Sequence, residues 1–137
     1  MANRIVAVGR VLTERILACA FDVHARMGPG LLESTYKACL HHRLSRDGLR
    51  VECEAPIAVE FDGAQIGTGY RADMIVEDSV LIELKAVERL LPIHIMQAYT
   101  YLKHSNLDVA LLLNFNVKSL RDGIRRIQRN QPHDLLP

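Results

Sequence analysis

The stretch Tyr70–Ala86, YRADMIVEDSVLIELKA, decides how the rest of the chain must fold. In its second half Val80, Ile82, Leu84 and Ala86 alternate with Leu81, Glu83 and Lys85. A period of two is the signature of a strand, and it sends Glu83 and Lys85 out on the same face. Asp73 belongs to the strand before. With Glu77, Asp78 and Ser79 as a hairpin loop, Val76 pairs with Val80, and counting outward sets Asp73 opposite Glu83 with Cα atoms about 5 Å apart. Like charges placed that way repel each other. Two carboxylates forced together beside a lysine call for a compensating cation, and a divalent metal is the natural candidate. A plain carboxylate–lysine ion pair within the sheet is the other explanation of the same three residues.

Upstream, Val51, Cys53, Ala55, Ile57, Val59 and Phe61 alternate with Glu52, Glu54, Pro56, Ala58 and Glu60, which predicts one strand over 51–61. Pro56 has no backbone donor, so this strand should border the sheet. Asp62 and Gly63 suit a tight turn into a second strand from Gln65 to Val76, in which Gly67 and Gly69 mark a bulge or a close backbone approach. Before these strands come two helices. Ile16, Ala20, Val23 and Met27 recur at helical spacing after a candidate cap at Thr13, and Gly28-Pro29 stops the run. Residues 1–11 read as an irregular lead-in. The second helix spans about Leu31 to Arg46 and ends at Asp47-Gly48. Its apolar stripe is Leu32, Tyr36, Cys39, Leu40 and Leu44, with Glu33 in the first turn, where the helix dipole favours a carboxylate.

Downstream, Pro92 starts a third helix that lasts to about Ser105 and carries the chain back across the sheet. Val109–Leu113 is continuously apolar, as a strand covered on both faces would be, and a strand–helix–strand crossover delivers a parallel neighbour. The sheet is therefore mixed. Residues 119–129 fit either a turn with a short strand or a helical turn. No internal repeat, low-complexity tract or linker occurs.

With 137 residues, 49% of them apolar and 24% charged, the chain has the composition of one ordinary globular domain. Its apolar runs are too short to span a membrane and no signal-peptide layout opens it, so the expected location is the cytoplasm. Three cysteines without a CxxC give neither a disulfide framework nor a zinc knuckle, and no HExxH or HxxxH offers a histidine metal site. His24, on the apolar side of the first helix, reads as a packed and hydrogen-bonded residue. The net charge of +1 gives no global pull toward nucleic acid. Lys118, Arg121, Arg125, Arg126 and Arg129 nonetheless cluster near the end, as a solvated surface or as a phosphate-binding edge.

Helix, three antiparallel strands, helix and strand, with Asp73 on one strand and ExK at Glu83–Lys85 on the next, resembles the PD-(D/E)xK nuclease superfamily. Within it, GPGLLESTY carries GxxExxY at Gly30, Glu33 and Tyr36, and Val23-His24 precedes it as in the VHxxxGPGLLE segment typical of GxxExxY proteins. The resemblance covers roughly residues 12–130. It implies an α+β, restriction-endonuclease-like core in one domain, a mixed sheet of four to five strands flanked by helices in the order α-α-β-β-β-α-β. It also implies a nuclease that cleaves phosphodiester bonds in DNA or RNA using Mg²⁺ or Mn²⁺. Asp73 and Glu83, with Glu33 from the second helix, would hold the cation, and Lys85 would orient or activate water. Gln97 and Tyr101 resemble a QxxxY feature that contacts substrate or supports the lysine. Arg125 and Arg126 would meet the substrate backbone. Ala72 precedes Asp73 where the superfamily usually has proline. The competing expectations are a catalytically weak or retired subunit that binds nucleic acid or a protein partner, and an ion-pair network in a homo-oligomer.

Overall fold

The computed structural model describes residues 2–67 and 70–130, with side chains from Gly9 onward, and opens on a long helix, α1 (Ala2–Met27). The expected lead-in is thus helical, and Thr13 is not a cap. Its hydroxyl donates to the carbonyls of Gly9 and Arg10 at 3.0 and 2.9 Å, from within the helix. A threonine that bonds back to the preceding turn can occupy a helix interior, so its presence ahead of an apolar stripe marks no boundary. Gly28 and Gly30, at φ 70° and 100°, turn the chain into α2 (Glu33–Arg46).

The expected first strand is broken in two. β1 (Val51–Pro56) ends at the proline, and β2 (Val59–Phe61) belongs to a separate ribbon. The return strand is likewise divided into β3 (Ala64–Gly67) and β4 (Arg71–Val76). Asp62 and Gly63 form the tight turn, both at positive φ, 56° and 77°. The expected irregularity near Gly67 is present: register slips between Val59 and Glu60, and a Cβ on Gly67 would sit 3.0 Å from that of Val59. Gly69 lies outside the described residues. Then come β5 (Val80–Lys85), α3 (Pro92–Ser105) and β6 (Val109–Asn114). The ambiguous stretch after them is a short 3₁₀ turn (Leu120–Gly123) followed by β7 (Ile124–Gln128).

The five-stranded sheet has the order β1-β4-β5-β6-β7, with β1 and its Pro56 at an edge as expected. β5 and β6 are parallel and the other pairs antiparallel. α1 and α2 cover one face, burying Ile16, Ala20, Tyr36 and Leu40 against Met74, Ile82, Leu84 and Leu111. α3 covers the other, with Ala98 and Leu102 against Leu81, Ala110 and Leu112.

Alternation fails where Glu54 of β1 and Asp73 of β4 stand opposite each other. Val51 and Met74 pack on the α1/α2 side, whereas Ala55 and Ala72 pack on the α3 side. In an unbroken strand, residues two or four apart share a face. Both strands change face across Glu54, held at φ 52°, and Asp73; these two stand opposite in register and drop out of the β1–β4 ladder.

A paired-carboxylate candidate active site

β4 and β5 pair through Val76↔Val80, Ile75↔Leu81 and Met74↔Ile82, and there their ladder stops. Asp73 and Glu83 come next in register, and their side chains take over the backbone groups the ladder leaves. The Asp73 N–H donates to Glu83 Oε1 at 2.9 Å, and the Leu84 N–H donates to Asp73 Oδ2 at 2.8 Å. Each carboxylate thereby satisfies a donor of the opposite strand, which explains how two acids can be buried in a sheet without orphaning its amides.

Both acids are nearly inaccessible, Asp73 at 8% and Glu83 at 7% exposure. Burial, and then the charge of Asp73, push the Glu83 carboxyl up to about 8 against the opposing pull of the Asp73 N–H, Lys85 and Lys37. The positive charge near this carboxyl offsets only part of what burial and the Asp73 charge impose.

Lys37 supplies part of that charge, and sequence reasoning missed it. From α2, one turn after Glu33, its Nζ lies 2.6 Å from Asp73 Oδ1 and 3.4 Å from Glu54 Oε1. Burial is the largest influence on Lys37 and acts to lower its pKa, but Asp73 and Glu54 together outweigh it and hold the pKa above the ordinary value. The available signal was spacing: Lys37 is four residues from Glu33 and shares its helix face.

The donor set suits a hard divalent cation in kind. Carboxylate oxygens are the ligands such ions prefer, and Mg²⁺ accepts one or two carboxylates, with water and phosphate oxygens completing its shell. Glu83 Oε2 has no hydrogen-bond partner among the described residues, and Asp73 Oδ1 faces a cation already. In number the set is two: among the described residues no group of three or more His, Cys, Asp or Glu side chains gathers to hold a metal. Glu33, half-buried in the first turn of α2, makes no side-chain hydrogen bond or ion pair among the described residues.

Lys85 follows Glu83 by two residues and is half-buried. Its backbone is fixed from the far side. Lys85 pairs with Asn114 at the end of the parallel ladder, and its carbonyl accepts from Phe115 N–H at 2.9 Å. Asn114, buried, accepts from the Val87 N–H at 3.0 Å and donates to the Val87 carbonyl at 2.9 Å. This asparagine moors the chain just beyond the ExK segment, and nothing in the strand pattern singles it out.

Tyr101 on α3 is half-buried; burial first, then the charges of Glu83, Tyr70 and Asp73, raise the pKa of its hydroxyl. Gln97, one turn earlier, is exposed. Arg125 and Arg126 are both exposed on β7, the edge farthest from β1, and as strand neighbours they point to opposite faces. Arg126 donates to Thr13 Oγ1 on α1 at 3.3 Å.

The glycine-rich segment is architectural. Tyr36 is buried and stacks on Phe115 with ring centroids 4.8 Å apart. Its hydroxyl donates to the Gly28 carbonyl and accepts from the Leu31 N–H. The Gly30 N–H donates to Asn116 Oδ1 at 3.1 Å. His24 is packed as expected, its Nε2 2.7 Å from the Val117 carbonyl.

Three helices around a five-stranded mixed sheet, with an aspartate and an ExK lysine on adjacent strands, define an α+β protein of the restriction-endonuclease-like kind. The sequence model of a family described as the PD-(D/E)XK nuclease superfamily matches residues 10–127, and the chain belongs to that superfamily. No curated protein and no solved structure matches it significantly. Nucleases of this superfamily generally use divalent metal ions, and membership implies nucleic acid as the partner. Among the described residues no helix is long and apolar enough to cross a membrane.

Proposed function

We propose that the protein is a Mg²⁺- or Mn²⁺-dependent nuclease of the GxxExxY type that hydrolyses phosphodiester bonds in DNA or RNA. The observation that carries this reading is the substitution of two buried carboxylates for the rungs of a β-ladder, with one of them protonating near pH 8. Asp73 and Glu83 would hold the cation, with Glu33 as the carboxylate that α2 would contribute. The bound ion would supply a polarised phosphate oxygen and an acidified water. Lys85, on the same face as Glu83, donates to the attacking water and offsets the negative charge that develops on phosphorus. Tyr101, and Gln97 one turn away, would face the substrate from α3, and its backbone farther out would meet Arg125 on the α3 face of β7 and, where the strand wraps that sheet edge, Arg126 on the opposite face.

The test is incubation of single-stranded and duplex DNA and RNA with Mg²⁺ or Mn²⁺, using wild type and Asp73→Ala, Glu83→Ala and Lys85→Ala. Cleavage should fall by about 10² or more in each variant, with metal binding lost in the first two and kept in the third. Undiminished metal-dependent cleavage by Glu83→Ala would sink the proposal. One observation favours a second reading, a binding subunit without catalysis: Lys37 already neutralises Asp73. Retarded nucleic-acid mobility without cleavage in either metal would select it.

A further inference from the structure

Where β1 gives way to the β2–β3 ribbon, and reaching Arg71 two residues before Asp73, lies an open cavity of about 310 Å³. Pro56, Ile57, Gly67 and the ring of Tyr70 form its apolar walls, and Gln65 and Arg71 are its polar members. Gly67 lets the ribbon pack closely there, since a Cβ on it would meet Val59 at 3.0 Å and the Tyr70 ring at 3.3 Å. Tyr70 is 49% exposed. Its ring stands edge-on to Tyr101 of α3, centroids 6.1 Å apart at 63°, so the cavity wall continues into the face of the sheet that α3 covers. Among the described residues the Arg71 guanidinium contacts only the Glu54 carbonyl, at 3.4 Å.

Position sets what this cavity can take. Arg71 precedes Asp73 by two strand residues, a separation of about 7 Å. That is about twice the 3.4 Å rise of one nucleotide in a stacked strand. The base of the adjacent nucleotide reaches that far from a phosphodiester at the carboxylates when the strand is extended and that base has left the stack. The volume is at the small end of ligand pockets, the size for one ring system. Its chemistry is what an unstacked base needs: an aromatic face, apolar walls, and an amide and a guanidinium for the base edge. An intact duplex keeps its bases paired and cannot use it.

We infer that this cavity binds one unstacked nucleobase of a single-stranded nucleic acid, stacked against Tyr70 with Gln65 and Arg71 at its edge, and that the site therefore prefers single strands to duplex. The inference rests on the reading of Asp73 and Glu83 as a phosphodiester site. It is tested with the full chain carrying Glu83→Gln to prevent cleavage, by fluorescence anisotropy of labelled strands of about 12 nucleotides, single and duplex, at low salt. Single strands should bind about tenfold more tightly than duplex. Tyr70→Ala, and Ala58→Trp to fill the cavity, should each weaken single-strand binding about tenfold without altering the thermal melt, while Tyr70→Phe retains it. Equal affinity for the two forms, or undiminished binding by Tyr70→Ala, overturns the inference. So does self-association abolished by Ala58→Trp, which would assign the cavity to a second copy. Metal-dependent cleavage of single strands that ignores Tyr70→Ala overturns this inference alone; failure to bind any nucleic acid overturns it together with the nuclease reading.

Discussion

β5 has two neighbours, and they treat it differently. Toward β6 the ladder runs unbroken from Val80↔Val109 to Lys85↔Asn114. Toward β4 it stops at Met74↔Ile82, and two carboxylates do the pairing instead. One edge of the strand is closed by backbone pairing, and the other carries the two buried carboxylates. Glu83 can remain buried and under-compensated because Ile82, Leu84 and the parallel pairing on the other side hold its strand in place.

That contrast can be broken from either edge. The largest effect should come from the closed one: Ile82 and its partner Leu111 are both fully buried, and Ile82→Ala should cost about 2–5 kcal/mol by urea unfolding. The open edge should instead show itself through pH in the metal-free protein. Below about 4.5, the ordinary value for a glutamate, folded and unfolded chains both carry the Glu83 proton; from there to about 8 only the folded chain does. Stability should therefore fall as pH rises through that window, by about 1.4 kcal/mol per unit at most, and level off above it. Glu83→Gln should flatten the curve. A wild-type profile that rises across the window would contradict the burial of an uncompensated acid.

Asn114→Ala would sharpen the comparison at the end of the closed edge. It strands the Val87 amide and carbonyl, and should cost about 1–3 kcal/mol by thermal or urea unfolding. The smallest effect concerns Lys37. Its ammonium sits on the oxygen a metal would use, so Lys37→Met should tighten Mn²⁺ binding by about tenfold, or about 1.4 kcal/mol, in a calorimetric titration. Weaker binding in that variant would make Lys37 a partner of the site rather than a competitor for it.

The hairpin that carries the site was legible because its signals are local. Glu77, Asp78 and Ser79 form the loop as expected, Val76 pairs with Val80, and period-two alternation does the rest. The parallel return at β6 was legible for the same reason, from a helix of sufficient length between two apolar runs. What escaped was non-local or masked by permissive residues. Thr13 carries the signature of a cap, and only its bonds to Gly9 and Arg10 reveal a helix interior. The face change at Glu54 needs a positive φ in a residue that gives no hint of it. Lys37 meets Asp73, and Asn114 meets Val87, across long sequence separations that no periodicity spans.

The most direct test is a calorimetric titration of Mn²⁺ into the wild type and Asp73→Ala at pH 8, where the Glu83 carboxyl begins to lose its proton. If the two carboxylates are a metal site, binding is saturable in the wild type, weaker at pH 6 because the proton competes, and absent from the variant. Binding that survives Asp73→Ala, or no binding by either protein, would mean that Asp73 and Glu83 are kept for their lysine neighbours and not for a metal.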